Sequence, residues 1–298
     1  MSDDTLESLR NQIDSIDEQL LKLFNNRANC AIKVADAKKR ELKEGEVLEF
    51  FRPDREAQVI QRIKQLNDGP LSDKEAGRLI REVMSACLAL EQPLKVAYLG
   101  PEGTFTQAAA LKHFGHSVDT VAMSCIPDVF SEVRAGHADF GLVPVENSTE
   151  GVISHTLDMF INSSLKVCGE VEIRIHHQLA NQSQNPQDIE RIYSHQQSFA
   201  QCRNWLDQHY PNIERLPVNS NAEAARLASQ EQSSAAICGV QAVEIFGLKI
   251  CQKNIEDLPD NTTRFMVIGD MEVAPSGMDK TSLLLSAHNQ PGSLLALL

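Results

Sequence analysis

The chain has 298 residues, 42% of them hydrophobic, enough for two packed domains and part of a third. A net charge of −13, with no basic run interleaved with aromatics, excludes a general nucleic-acid binder, so an anionic ligand must be met by local cations. Seven cysteines without a CxxC pair indicate neither a disulfide framework nor a metal site and suit a reducing cytoplasm, while no apolar run reaches membrane-spanning length and the acidic N-terminus is unlike a secretory leader.

Between Asp4 and Arg40 there is no Pro or Gly, and Leu6, Leu9, Ile13, Ile16, Leu20, Phe24, Arg27, Ala31, Val34 and Lys38 follow a three-four spacing that predicts one long helix. Arg27 and Lys38 interrupt its apolar seam. A buried cation is costly unless an anion meets it, so the seam predicts a pocket for something negative; two snorkelling side chains at the edge of a bundle are the plainer reading. The pair is three turns apart, about 16 Å along the axis, a span that suits the two ends of one small dianion. Arg10 lies about 42 Å from Lys38 along a straight helix, so it reaches the same site only from an antiparallel second subunit.

A charged connection over residues 41–52 leads to a helix opened by Pro53 and stopped by Asn67-Asp68-Gly69-Pro70. Ser72, with Glu75 three residues on, has the capping-box spacing and predicts a third helix running to Pro93. Glu56 and Glu91 sit on the apolar faces of these two helices. From Lys95 the pattern becomes α/β: LKVAYLG, DFGLVPV, LKVCGEV, RIYSH, SAAIC, LKICQ and RFMVIG read as strands, with helices between them and one starting near Thr106. GPEGTFTQAAA at 100–110 is a glycine turn whose N–H groups suit a carboxylate, with hydroxyls from Thr104 and Thr106, and VEN followed by Ser148 and Thr149 reads as a strand end with a helix cap. After Ala274-Pro275-Ser276-Gly277, residues 281–287 read as a new strand and the last ten as the opening of a helix.

The segments LRNQIDSIDEQLLKLFNNRANCAIKVADAKK and FRPDREAQVIQRI resemble the helical chorismate mutase family throughout residues 1–92. That resemblance implies an intertwined all-helical homodimer which rearranges chorismate to prephenate. Catalysis there needs no cofactor, only the holding of a reactive conformer and stabilisation of charge on the ether oxygen. By position, Arg10 of the second chain and Arg27 would clamp the carboxylates, Lys38 would face the ether oxygen, Glu56 would hold the ring hydroxyl, and Glu91 would donate to the ether when protonated. The chain departs from the family pattern at Arg52, where an acid is usual, at Cys87, where a serine is usual, and at Glu91, where some members carry Gln.

GPEGTFTQAAA, VPVENSTEGV at 143–152, SHQQSFAQC at 194–202 and NTTRFMVIG at 261–269 resemble, in that order, prephenate dehydratase over residues 95–271. This implies two α/β lobes of the periplasmic-binding type with prephenate in the cleft between them. By the same resemblance Thr263 would be the essential threonine of the TRF signature, Thr104, Asn147, Ser194 and Gln201 would bind substrate, and Arg264 would be either a carboxylate ligand or a structural ion pair. The terminal TSLLLSAHNQPGSLLALL resembles the start of an ACT domain, the module that senses L-phenylalanine, incomplete over residues 280–298. The whole then resembles the bifunctional chorismate mutase/prephenate dehydratase family of phenylalanine synthesis, cytoplasmic and without metal or cofactor. The alternative is a non-catalytic two-lobed sensor of an aromatic acid carried on a helical dimerisation arm.

Overall fold

The computed structural model describes residues 5–42, 51–283, 285, 290–293 and 295. The chain divides into two compact units, residues 1–96 with 110–120, and residues 97–109 with 121–298.

The first unit opens with α1 (Leu6–Glu41), capped by the Thr5 side chain, which accepts from the Ser8 N–H. It continues with α2 (Pro53–Leu66) and α3 (Asp73–Ala89). Ser72 Oγ accepts from the Glu75 N–H as its spacing predicts. The third helix stops four residues short of Pro93, where the Leu90 N–H turns to the Cys87 carbonyl and the Glu91 and Gln92 N–H groups both donate to the Leu88 carbonyl. Most of the charged connection, residues 43–50, lies outside the described residues. Helix α1 buries Ala35 and half-buries Arg27 and Lys38 at its C-terminal end. Its N-terminal two-thirds leaves Leu6, Leu9, Ile13, Ile16, Leu20 and Phe24 exposed.

The α/β part runs β1 (Lys95–Leu99), α4 (Phe105–Phe114), β2 (Asp119–Met123), α5 (Ile126–Arg134), β3 (Phe140–Asn147), β4 (Gly151–Val152), α6 (Ser154–Ile161) and β5 (Lys166–Arg174). It then passes through β6 (Gln178–Asn181), β7 (Arg191–His195), α7 (Gln196–Gln201), α8 (Arg203–His209), β8 (Glu214–Val218), α9 (Asn221–Ala228), β9 (Ser234–Cys238), α10 (Val240–Ile245) and β10 (Lys249–Gln252), and ends in β11 (Thr262–Gly269). Two sheets result. One has the order β2-β1-β3-β11-β5, with β4 on β3; the other has the order β10-β6-β9-β7-β8.

Each predicted strand from LKVAYLG to RFMVIG is present, but the sequence reading missed β2, β4, β6 and β8. VEN ends β3 and turns into β4, so the helix expected at Ser148 begins only at Ser154. Strand β9 shows why a wholly apolar run suits this place. Ala236 and Cys238 pack into a core with Ala224, Ala225 and Leu248, whereas Ala235 and Ile237 face Leu179, Ile192 and Leu206 on the other side. The first sheet packs Val143 and Ile268 on Val129, Phe130 and Val133 of α5.

The chain crosses between sheets twice, after β5 and before β11. The crossings are tied together: Ile175 N–H donates to Asn261 O, and Ile255 N–H to His177 O. Beyond residue 271 the described residues form no strand, and the ACT-like strand expected over 281–287 falls partly outside them, as does the helix opening expected over the last ten residues.

Candidate active sites

Between the two sheets lies a cleft of about 420 Å³, a size suited to one small molecule. Thr104, Phe105, Asn147, His177, His195, Ser198, Gln201, Asn221 and Thr263 line it, and among the described residues no Lys or Arg side chain does. An anion here would be met by hydroxyls, amides and imidazoles.

Strand register creates the centre of this cleft, because β11 pairs antiparallel with β3 and sets Thr263 opposite Asn147. Asn147 Oδ1 accepts from the Thr149 N–H at 2.9 Å and the Glu150 N–H at 3.1 Å, which assigns its amide orientation. The amide nitrogen therefore donates to Thr263 Oγ1, at 2.7 Å. With its oxygen occupied as an acceptor, the Thr263 hydroxyl directs its proton elsewhere, and Thr263 lines the cleft.

One residue further along, period-two alternation turns Arg264 to the opposite face. There it pairs with Glu146 at 2.6 Å and Glu170 at 3.0 Å, while Lys280 meets Glu170 at 2.5 Å. Arg264 does not line the cleft, so its expected substrate role is corrected to an ion pair between strands. Glu146 of β3 is thus one of its two partners and is held on the same face.

Ser194 is also a step removed. Fully buried, its Oγ donates toward Asn221 Oδ1 at 3.1 Å and Ile237 O at 3.2 Å, so it braces Asn221, and Asn221 lines the cleft. Gln201 does line it, with its Oε1 at 2.8 Å from His177 Nε2. The sequence reading passed over His177, although a histidine pair ahead of a short apolar segment was a visible signal. Burial lowers the His177 pKa, against the opposing effects of Gln201 and Glu256, and the ring stays neutral. It then donates through Nε2 to Gln201, and among the described residues Nδ1 has no partner.

The glycine turn needs a correction too. Gly103 has φ +86°, and a Cβ there would lie 3.2 Å from Ala242, so only glycine fits. Its N–H, however, already donates to Gln107 Oε1 at 2.7 Å and is not available to a carboxylate. Thr104 lines the cleft while its hydroxyl donates to Leu99 O and accepts from the Gln107 N–H.

In the helical unit, Arg27, Lys38 and Glu91 come together. Burial raises the Glu91 pKa, and the charges of Lys38, Arg27 and Lys39 pull against it. Arg27 Nη1 reaches the Val83 carbonyl at 3.5 Å. Glu56 is half-buried on α2, and among the described residues it pairs with Arg81 of α3, at 3.0 Å, rather than with a seam cation. Arg10 is exposed on the N-terminal half of α1. Arg52 forms a two-bond pair with Asp54, and Cys87 is buried.

The prephenate dehydratase family profile matches residues 96–273, and the chorismate mutase type II profile matches residues 9–92. The chain is 57% identical to a bifunctional chorismate mutase/prephenate dehydratase of Pseudomonas aeruginosa, over 99% of this chain and 81% of that one. It is 48% identical to a Neisseria gonorrhoeae protein of the same description, again over 99% and 81% of the two chains. Among solved structures it is similar to a prephenate dehydratase of Arthrobacter aurescens in complex with L-Phe, with a TM-score of 0.60 and 31% identity over 68% of this chain and 70% of the other. With both profiles in one chain and relatives that extend across nearly all of it, the protein belongs to the bifunctional chorismate mutase/prephenate dehydratase family of enzymes.

Proposed function

We propose that residues 1–92 rearrange chorismate to prephenate and that residues 95–271 convert prephenate to phenylpyruvate, two consecutive steps toward L-phenylalanine. The observation that carries the second step is the polarity of the Asn147–Thr263 hydrogen bond, which leaves a hydroxyl proton for the leaving group.

In the dehydratase reaction the bond from the ring to its carboxylate breaks and carbon dioxide departs. The released electron pair enters the ring as the C–O bond to the ring hydroxyl breaks. Hydroxide leaves, and one proton from the medium converts it to water. Thr263 donates a hydrogen bond to that oxygen as its charge builds, while Gln201, Asn221, Thr104 and His195 orient the anion. In the mutase reaction no atom leaves and no nucleophile acts. Arg27 binds a carboxylate, Lys38 and protonated Glu91 stabilise the ether oxygen, and Glu56 accepts from the ring hydroxyl.

The exposed apolar run on α1 supports a homodimer in which Arg10 of the partner completes the mutase site. The reading also holds the enzyme to be cytoplasmic and the C-terminal segment to belong to an ACT module that takes L-phenylalanine as effector. A sensor without turnover is disfavoured by relatives described as bifunctional enzymes.

The test is a pair of variants assayed for both reactions. Thr263→Ala should abolish phenylpyruvate formation and spare the rearrangement, and Lys38→Ala should do the reverse. Loss of both activities in each folded variant would overturn the two-site reading.

A further inference from the structure

Helix α3 presents Gly77, Arg81 and Ser85 along one face at four-residue spacing. Gly77 and Ser85 are buried, and a Cβ on Gly77 would lie 3.1 Å from Lys64 and 3.3 Å from Ile60 of α2. Gly77 brings α2 and α3 close, while Ser85 accepts from the Ser117 N–H after α4. Arg81, between them, is held to Glu56: Nε donates to Oε1 at 3.0 Å, with 13% of the carboxylate side chain exposed and 28% of the guanidinium.

The arginine is also fixed from behind. Its Nη1 reaches the Lys112 carbonyl at 3.4 Å, near the C-terminal end of α4, where backbone carbonyls favour a cation. The next residue, His113, is half-buried, and desolvation together with the Arg81 charge pushes its pKa down to about 4. His113 therefore adds no second cation at neutral pH, and the positive charge that bears on Glu56 is that of Arg81.

We propose that Arg81 is a positioning residue for the rearrangement, holding the Glu56 carboxylate where it accepts the hydrogen of the substrate's ring hydroxyl. The proposal rests on the assignment of Glu56 to that hydroxyl. Among the described residues Arg81 engages one oxygen of Glu56, and the other is the acceptor for the substrate. A half-desolvated carboxylate tends to take up a proton, and a neutral carboxyl is a poorer acceptor. Arg81 opposes that protonation by its charge and its hydrogen bond. It does not touch the reacting atoms.

The experiment compares Glu56→Ala, Arg81→Met and Arg81→Lys in the full chain, following chorismate consumption from acidic to alkaline pH. Phenylpyruvate formation from prephenate in the same preparations reports folding. Arg81→Met should raise KM for chorismate about tenfold or more, with a smaller effect on kcat. It should also move the acidic limb of kcat/KM to higher pH, because Glu56 without its cation protonates more readily; Arg81→Lys should restore most of both. The proposal is overturned if Glu56→Ala impairs the rearrangement while both Arg81 variants keep KM within twofold and the limb unmoved. Should Arg81→Met lose both activities, Arg81→Lys decides by the same two readouts. An unimpaired Glu56→Ala enzyme would instead refute the hydroxyl assignment itself.

Discussion

Replacing Asn147 by Asp tests the dehydratase argument at its narrowest point. The substitution keeps size and shape and leaves one oxygen to accept from the Thr149 and Glu150 N–H groups, so the turn between β3 and β4 retains its bonds. What changes is the other atom. An amide that donated to Thr263 Oγ1 over 2.7 Å becomes a carboxylate oxygen that can only accept, and Thr263 must turn its own proton toward it. The leaving oxygen then loses its donor. Removing one hydrogen-bond donor aimed at developing negative charge costs about 10²–10³ in kcat, roughly 3–4 kcal/mol. The new negative charge beside a dianionic substrate adds to that loss. Dehydratase kcat/KM should fall by at least about a hundredfold, followed as phenylpyruvate formation, while mutase activity in the same preparation stays within about twofold. A folded Asn147→Asp enzyme with a dehydratase kcat close to that of the parent would refute the polarity argument and return Thr263 to a structural role.

Mixing Arg10→Ala and Lys38→Ala chains, each inactive as a mutase, should restore part of the activity, since each heterodimer rebuilds one intact site; no recovery after confirmed subunit exchange would remove Arg10 from the partner's site. Mutase activity should decline as pH rises through the raised pKa of Glu91, because only its protonated form donates to the ether, and Glu91→Gln should flatten that decline. An unchanged slope in the Gln variant would leave the ether to Lys38. Urea unfolding should show stability falling as pH drops from neutral toward 4: His113 has a folded pKa of about 4 against an ordinary 6.5, so the unfolded chain binds the proton first. The loss is about 3 kcal/mol at most, and a His113→Gln variant that retains the full acid-side loss would exclude His113 as its source.

Much of the architecture is readable from local pattern. The long uninterrupted three-four stripe specifies α1, Pro53 and the Ser72 cap specify α2 and α3, and the apolar runs specify the central strands, because helix periodicity, caps and β-branched runs act over a few residues. The missed strands lacked that local signal. QLAN in β6 is four residues with a Gln and an Asn, and ERLPV in β8 contains Pro217 in the last strand of its sheet; both are held by pairing with neighbours distant in sequence. The site residues divide in the same way. That Thr263 and Arg264 face opposite sides follows from strand alternation and was available in the sequence. That Asn147 donates to Thr263, 116 residues away, depends on the β3–β11 register and on the turn that orients the amide. The grouping of Arg27, Lys38 and Glu91 followed from two helical faces, the seam of α1 and that of the third helix, whereas the attachment of Glu56 to Arg81 did not. Helical period states which residues share a face, but the close approach of α2 and α3 at Gly77 decides which charge a half-buried carboxylate meets, and only packed coordinates contain that distance.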